Sequence, residues 1–139
     1  MITYRDLRAY KYQTLETYDL YVGIYPQGPE IITDHIRLSR EGVLKIRAGY
    51  CWDGPSGPAF DTKNFMRASL VHDALYQLIR LGMLPKEKRG AADRLLWRVC
   101  LEDGMSSLRA ANVFLFVRAC GALSSQPRKQ DIATTLKAP

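Results

Sequence analysis

The sequence has no hydrophobic run approaching the roughly 20 apolar residues that a bilayer-crossing helix needs. Its first ten residues, MITYRDLRAY, contain no apolar signal core. Neither a transmembrane segment nor a signal peptide is expected, and the address that follows is the cytosol or a particle assembled there. Cysteine is scarce. Cys51, Cys100 and Cys120 are scattered without CxxC spacing, and an odd count cannot pair completely within one chain. Reduced thiols are therefore the default, and no disulfide framework is expected. Histidine is scarcer still: only His35 and His72 exist, neither with a ligand-type residue three or four positions on, which disfavours zinc. No Gly-rich phosphate loop follows a strand, and the basic residues lack the interleaved aromatics of a single-strand binder, so no specific nucleic-acid binding is expected.

What is present describes one folded domain. A chain of 139 residues supports a single modest core and is too short for two independent ones. Hydrophobic residues make up 47% of it, enough for a packed interior and too many for a disordered chain. The formal net charge of +6 suits a solvated basic surface, or affinity for an anionic partner, whether lipid head groups, nucleic acid or an acidic protein face. The charge is diffuse, with Lys86, Lys88 and Arg89 as the one dense cluster in the body of the chain and Arg128 and Lys129 near its end.

The first half reads as β. Thr14 to Ile24 ends in polar and apolar alternation and is closed by the turn signal Tyr25-Pro26-Gln27-Gly28-Pro29. The runs Ile31 to Ser39 and Val43 to Tyr50 flank Arg40-Glu41-Gly42, whose glycine can take the positive φ of a hairpin turn. Ile36, Leu38, Leu44 and Ile46 alternate with charged residues, which predicts one buried and one wet sheet face. The loop CWDGPSGPAFDTKN follows, too rich in proline and glycine for a helix or a central strand.

The second half reads as three helices. The first is expected from Asn64, as N-cap, to Leu81, with Gly82 as its stop. The second starts after Pro85 and ends near Glu102-Asp103-Gly104. Ser106 or Ser107 caps the third, whose Leu108, Ala111, Phe114, Leu115, Val117 and Ala119 are expected to face the core. Periodicity is lost from Ser124 onward, so residues 1–123 form the domain and 124–139 an extended tail suited to docking on other subunits. The expected fold class is α+β: a small N-terminal antiparallel sheet or hairpin, then a three-helix unit.

Chemistry concentrates in SLVHDALYQLIR (Ser69 to Arg80). His72 and Asp93, in GAADRLLW, are equidistant from a turn between Gly82 and Leu84, so antiparallel packing sets them at one height. A carboxylate there can accept from one imidazole nitrogen, fix the tautomer, and leave the other nitrogen to take a proton from water. Tyr76, four residues after His72, shares its helix face and can bond Asp93 or cover the pair. Asp73 lies about 100° around the helix from His72 and must point elsewhere, with Asp53 in the glycine-rich loop as the nearest oxygen-rich candidate. Two carboxylates with backbone carbonyls are the hard oxygens that calcium takes. The bland alternatives are a satisfied core histidine, and an Asp73 that pairs with Arg67 or Arg80.

"RAGYCWDGPSGP", "MRASLVHDALYQLIR" and "RGAADRLLWRVCLEDGM" together resemble the domain of unknown function 1353 family of bacteriophages and prophages. The resemblance covers roughly Ile31 to Gly121 and implies a phage or prophage origin, with host cytoplasm or virion as location. The same segments are similar to the small bacterial secreted phospholipase A2 enzymes, which carry a DG loop, a His-Asp-x-x-Tyr helix and an Asp on an antiparallel helix. That similarity implies His72 as general base, Asp93 as its orienting partner, Asp73 and Asp53 as calcium ligands and the Gly54 carbonyl as a third. Those enzymes place cysteines before the His-Asp pair, where this chain has Ala68, Ser69 and Leu70. Two functions are carried forward: a calcium-dependent phospholipid hydrolase, and a non-catalytic virion or tail component. Expected partners are phage structural proteins or an anionic lipid surface, and a homo-oligomer remains an open alternative.

Overall fold

The computed structural model describes residues 1–6, 11–54 and 62–124. Among them seven short strands come first: β1 (Tyr4–Asp6), β2 (Tyr12–Thr14), β3 (Tyr18–Tyr21), β4 (Ile31–Ile32), β5 (Ile36–Leu38), β6 (Val43–Ile46) and β7 (Cys51–Trp52). They build two antiparallel sheets, in the orders β1-β2-β7 and β3-β6-β5-β4. Helices α1 (Lys63–Arg80), α2 (Arg89–Glu102) and α3 (Ser107–Ser124) follow, with a 3-10 turn at Lys86–Lys88 leading into α2. The chain is thus an α+β fold with strands first and helices second.

The β5–β6 hairpin follows from its alternation. Ile36 pairs with Ile46 and Leu38 with Leu44, all four buried, while Arg37 and Lys45 pair on the wet face. There the cations meet Glu30 and Asp19 at 2.7 and 3.3 Å. Gly42 turns the hairpin at φ +81°, where a side chain would also meet the Tyr25 ring. Two runs that read as single strands are broken. Ile31 to Ser39 folds back on itself because the Thr33 hydroxyl oxygen accepts the Ile36 N–H and the Thr33 N–H donates to the Ile36 carbonyl, making β4 and β5 partners. Thr14 to Ile24 is divided between the sheets, Thr14 closing β2 and Tyr18 opening β3.

Thr14 is the joint between those sheets. Its buried hydroxyl donates to the Arg47 carbonyl at 2.9 Å and accepts the Tyr50 N–H at 3.0 Å. Its own N–H and carbonyl bond the Tyr50 carbonyl and the Gly49 N–H. Residues 47–50 carry the chain from β6 to β7, so this one side chain fixes the crossing. The first sheet is pinned to the helices by Trp52, whose indole N–H donates to the Ser69 hydroxyl at 3.2 Å.

Both helix reversals end on a left-handed glycine, Gly82 at φ +72° and Gly104 at +84°. Gly82 and Met83 donate back to Ile79 and Leu78, and Gly104 and Met105 donate back to Leu101 and Cys100. This paired pattern satisfies the last carbonyls of each helix and makes each turn tight. As a result α1 packs against α2 and α2 against α3. Arg67 of α1 locks the far end of α2 through Asp103 and Glu102 and reaches β3 through the Tyr18 hydroxyl.

Three details differ from the sequence reading. The N-cap of α1 is Thr62, whose carbonyl accepts the Phe65 N–H, and Asn64 is already helical. Helix α3 includes Ser124, and residues 125–139 of the expected tail lie outside the described residues, as do 55–61 of the Gly/Pro loop. The buried face of α3 is Ala110, Val113 and Gly121, with Val117 partly covered, while Leu108 and Leu115 are 76% and 63% exposed. No helix among the described residues is long and apolar enough to cross a membrane.

Thr14→Val keeps the shape and removes the bridging hydroxyl, leaving the Tyr50 N–H and the Arg47 carbonyl only their longer 3.3 Å bond to each other. Urea unfolding is expected to show a loss of about 1 kcal/mol. Thr14→Ser should lose clearly less, and equal losses for the two variants would show that the hydroxyl is not what joins the sheets.

Candidate active site

Asp93 is the centre of the helical unit, with no exposed surface. Its Oδ1 accepts from His72 Nε2 at 2.8 Å and from the Tyr76 hydroxyl at 2.6 Å, both on α1. Its Oδ2 accepts from Arg118 Nη1 of α3 at 3.0 Å. One carboxylate on α2 therefore joins all three helices. The Tyr76 ring also lies against the imidazole, centroids 4.0 Å apart, so it both bonds Asp93 and covers His72.

These bonds determine the state of each group. Burial alone would raise the Asp93 carboxyl, but the bonds from His72, Tyr76 and Arg118 outweigh it and hold the group below its ordinary 3.8. Asp93 is thus an anion that only accepts. Burial first, and the adjacent Asp93 second, push the Tyr76 phenol far up, which keeps it a neutral donor. With Nε2 donating to Asp93, neutral His72 carries its lone pair on Nδ1, the nitrogen left to act as a base.

His72 lines a cleft of about 80 Å³ between α1, α3 and the end of β7. Asp53, Gly54, Asp73 and Arg80 line it as well, with Leu96, Phe116 and Val117 among its apolar walls. Every residue singled out in the sequence thus borders this cleft except Asp93, which stands behind His72. Among the described residues no three His, Cys, Asp or Glu side chains form a metal-holding group. The oxygens that could serve a cation here are the Asp53 and Asp73 carboxylates and the backbone of Gly54, which are hard donors.

Comparison with family models, curated proteins and solved structures gave no match for this chain.

Two site residues escaped the sequence reading. Arg118 is level with Asp93 by the same equidistance argument, applied to the α2–α3 reversal at Gly104 instead of the α1–α2 one. Gly121 is the other: a Cβ there would run into the Tyr76 hydroxyl, so the missing side chain leaves room for the bond to Asp93. No local pattern around Gly121 announces this, because the tyrosine comes from another helix.

Removing the Asp93 charge should be visible in stability against pH. Because its folded titration point is depressed, Asp93 contributes stability that is complete above pH 3.8 and is lost as pH falls through the lower folded value. Asp93→Asn is expected to lower stability at neutral pH by about 1–3 kcal/mol and to flatten the acid limb of the curve. An acid limb as steep as the parent's would exclude Asp93 as the linked group. Gly121→Ala is expected to push the Tyr76 hydroxyl off Asp93, and calorimetry should show a lower Tm that Tyr76→Phe in the same chain partly restores.

Proposed function

We propose that this protein is a hydrolase of acyl esters in which His72 is the general base that draws a proton from the attacking water. The observation that supports this reading is the buried, ionised Asp93 bonded to His72 Nε2 at the back of a cleft. An imidazole oriented this way can accept a proton at Nδ1, and the resulting imidazolium is stabilised by a carboxylate that is already anionic. Tyr76 and Arg118 keep that carboxylate fixed in both states, acting as positioning residues.

The cleft has the scale of the water to be activated. One water needs at least about 10–15 Å³ of free space. A space of about 80 Å³ therefore takes a few waters or a hydrated cation, and acyl chains would lie outside it. Phospholipid is the ester class that the phospholipase A2 resemblance implies, and a phage or prophage the source implied by the other. Asp53, Asp73 and the Gly54 carbonyl would hold calcium. The chemistry such an ion supplies is polarisation of an ester carbonyl.

A second reading, a non-catalytic virion or tail component, is favoured by one observation. His72 is only 7% exposed and has the Tyr76 ring stacked on it. On this reading the same network serves only to join the three helices, and the partners are other phage structural proteins.

Fatty-acid release from phosphatidylglycerol vesicles in millimolar calcium separates the two. His72→Gln is expected to lower kcat by about 10²-fold or more while the chain stays folded by circular dichroism. Asp53→Asn and Asp73→Asn should each raise the calcium concentration needed. A parent protein that releases no fatty acid from any bacterial lipid, with or without calcium, would overturn the first reading.

A further inference from the structure

The densest basic cluster in the sequence, Lys86, Lys88 and Arg89, plays no part in the His72 site. The fold adds two more cations to it. Arg94 of α2 and Arg118 of α3 converge on Gly90, their Nη1 atoms each 3.5 Å from where a Cβ would stand. Arg89 adjoins them as the residue before Gly90, at the start of α2.

Two carboxylates answer this concentration, Glu87 between Lys86 and Lys88 and the buried Asp93. Asp93 is the carboxylate that Arg118 bonds, and its other oxygen is already shared by His72 and Tyr76. Neither Arg89 nor Arg94 has a carboxylate partner among the described residues, and the first turn of α2 carries no acidic side chain. The group is also reachable: Arg94 is exposed, the Arg118 side chain is 40% exposed, and Gly90 offers no side chain to block approach.

We propose that Arg94 and Arg118, with Arg89 beside them, form a binding site for a phosphate-type oxyanion above Gly90. Guanidiniums donate in planar pairs, and several of them arriving from different helices suit the spread acceptor oxygens of a tetrahedral group. The site lies at Asp93 Oδ2, the oxygen that does not hold His72, and does not depend on turnover there. Trp97, 41% exposed one turn beyond Arg94 and packed on Phe114, and the exposed Leu101 give the arginines an apolar flank. That flank is why a phosphate carried on a lipid head group is tested beside the free ion.

The test follows the amide signals of Gly90 and Arg94 by NMR during titration with inorganic phosphate at low ionic strength, against chloride at matched ionic strength. A saturable shift specific to phosphate is expected, with affinity about tenfold or more weaker in Arg94→Gln. Arg94→Lys should recover part of it, because charge remains while the fork is lost. Arg94 makes no bond to Asp93, so an unchanged circular dichroism spectrum is expected for both variants. Co-sedimentation with phosphatidylglycerol vesicles, and not with phosphatidylcholine vesicles, lost in Arg94→Gln and competed by phosphate, would assign the site to a head group. Phosphate binding without vesicle binding would assign it to a free phosphate ligand. No saturable phosphate shift, or equal affinity in Arg94→Gln, would overturn the site.

Discussion

A carboxylate without exposed surface is the most demanding group in this fold, and the three helices are arranged around it. An unpaired buried charge is costly, and a buried ion is tolerated only when its lone pairs are answered with good geometry. Asp93 is answered by two donors from α1 and one from α3, none of them on its own helix. Helix packing and site geometry are therefore one problem with one solution. The pieces that look accessory follow from it: the glycine at 121 that makes room for Tyr76, the register of α3 that delivers Arg118, and the heights at which the helices reverse.

Much of this was legible in SLVHDALYQLIR and GAADRLLW. Distance from a turn is a reliable ruler when the turn is short and glycine-terminated, and it sets His72 against Asp93. It failed for Arg118 only because it was applied to one reversal and not the next. The apolar face of α3 was not legible. Apolar residues surround that helix, from Leu108 and Ala110 to Leu115 and Val117, so periodicity has no preferred direction and tertiary contacts choose the face. The strands show the opposite limit. Ile31 to Ser39 has the composition of one strand, yet the hydroxyl of Thr33 offers the chain a local partner for Ile36, and two short strands replace a long one.

The two faces of Asp93 also divide the chemistry of the helical unit. On the Oδ1 side stand the imidazole and the phenol, both nearly buried. On the Oδ2 side the surroundings are open and crowded with guanidiniums. The carboxylate stands between the two environments, and its depressed titration point owes something to each. Elsewhere the polar economy is simpler. Arg67 and Thr14 each tie several elements through a single side chain, and no buried side-chain nitrogen or oxygen among the described residues is left without a partner.

The glycine-closed reversals have a consequence for how such a chain can vary. Each extra residue in a helix advances its axis by about 1.5 Å and rotates it by about 100°. A single insertion in α2 between Arg89 and Asp93, or in α3 between Ser107 and Arg118, would carry Asp93 or Arg118 out of alignment with no change to any residue of the site. The reversals are thus a measuring device, and the spacing between His72, Asp93 and Arg118 along the chain carries as much information as their identities. Relatives of this protein would be recognised by that interval, 21 residues and then 25, before they were recognised by overall similarity.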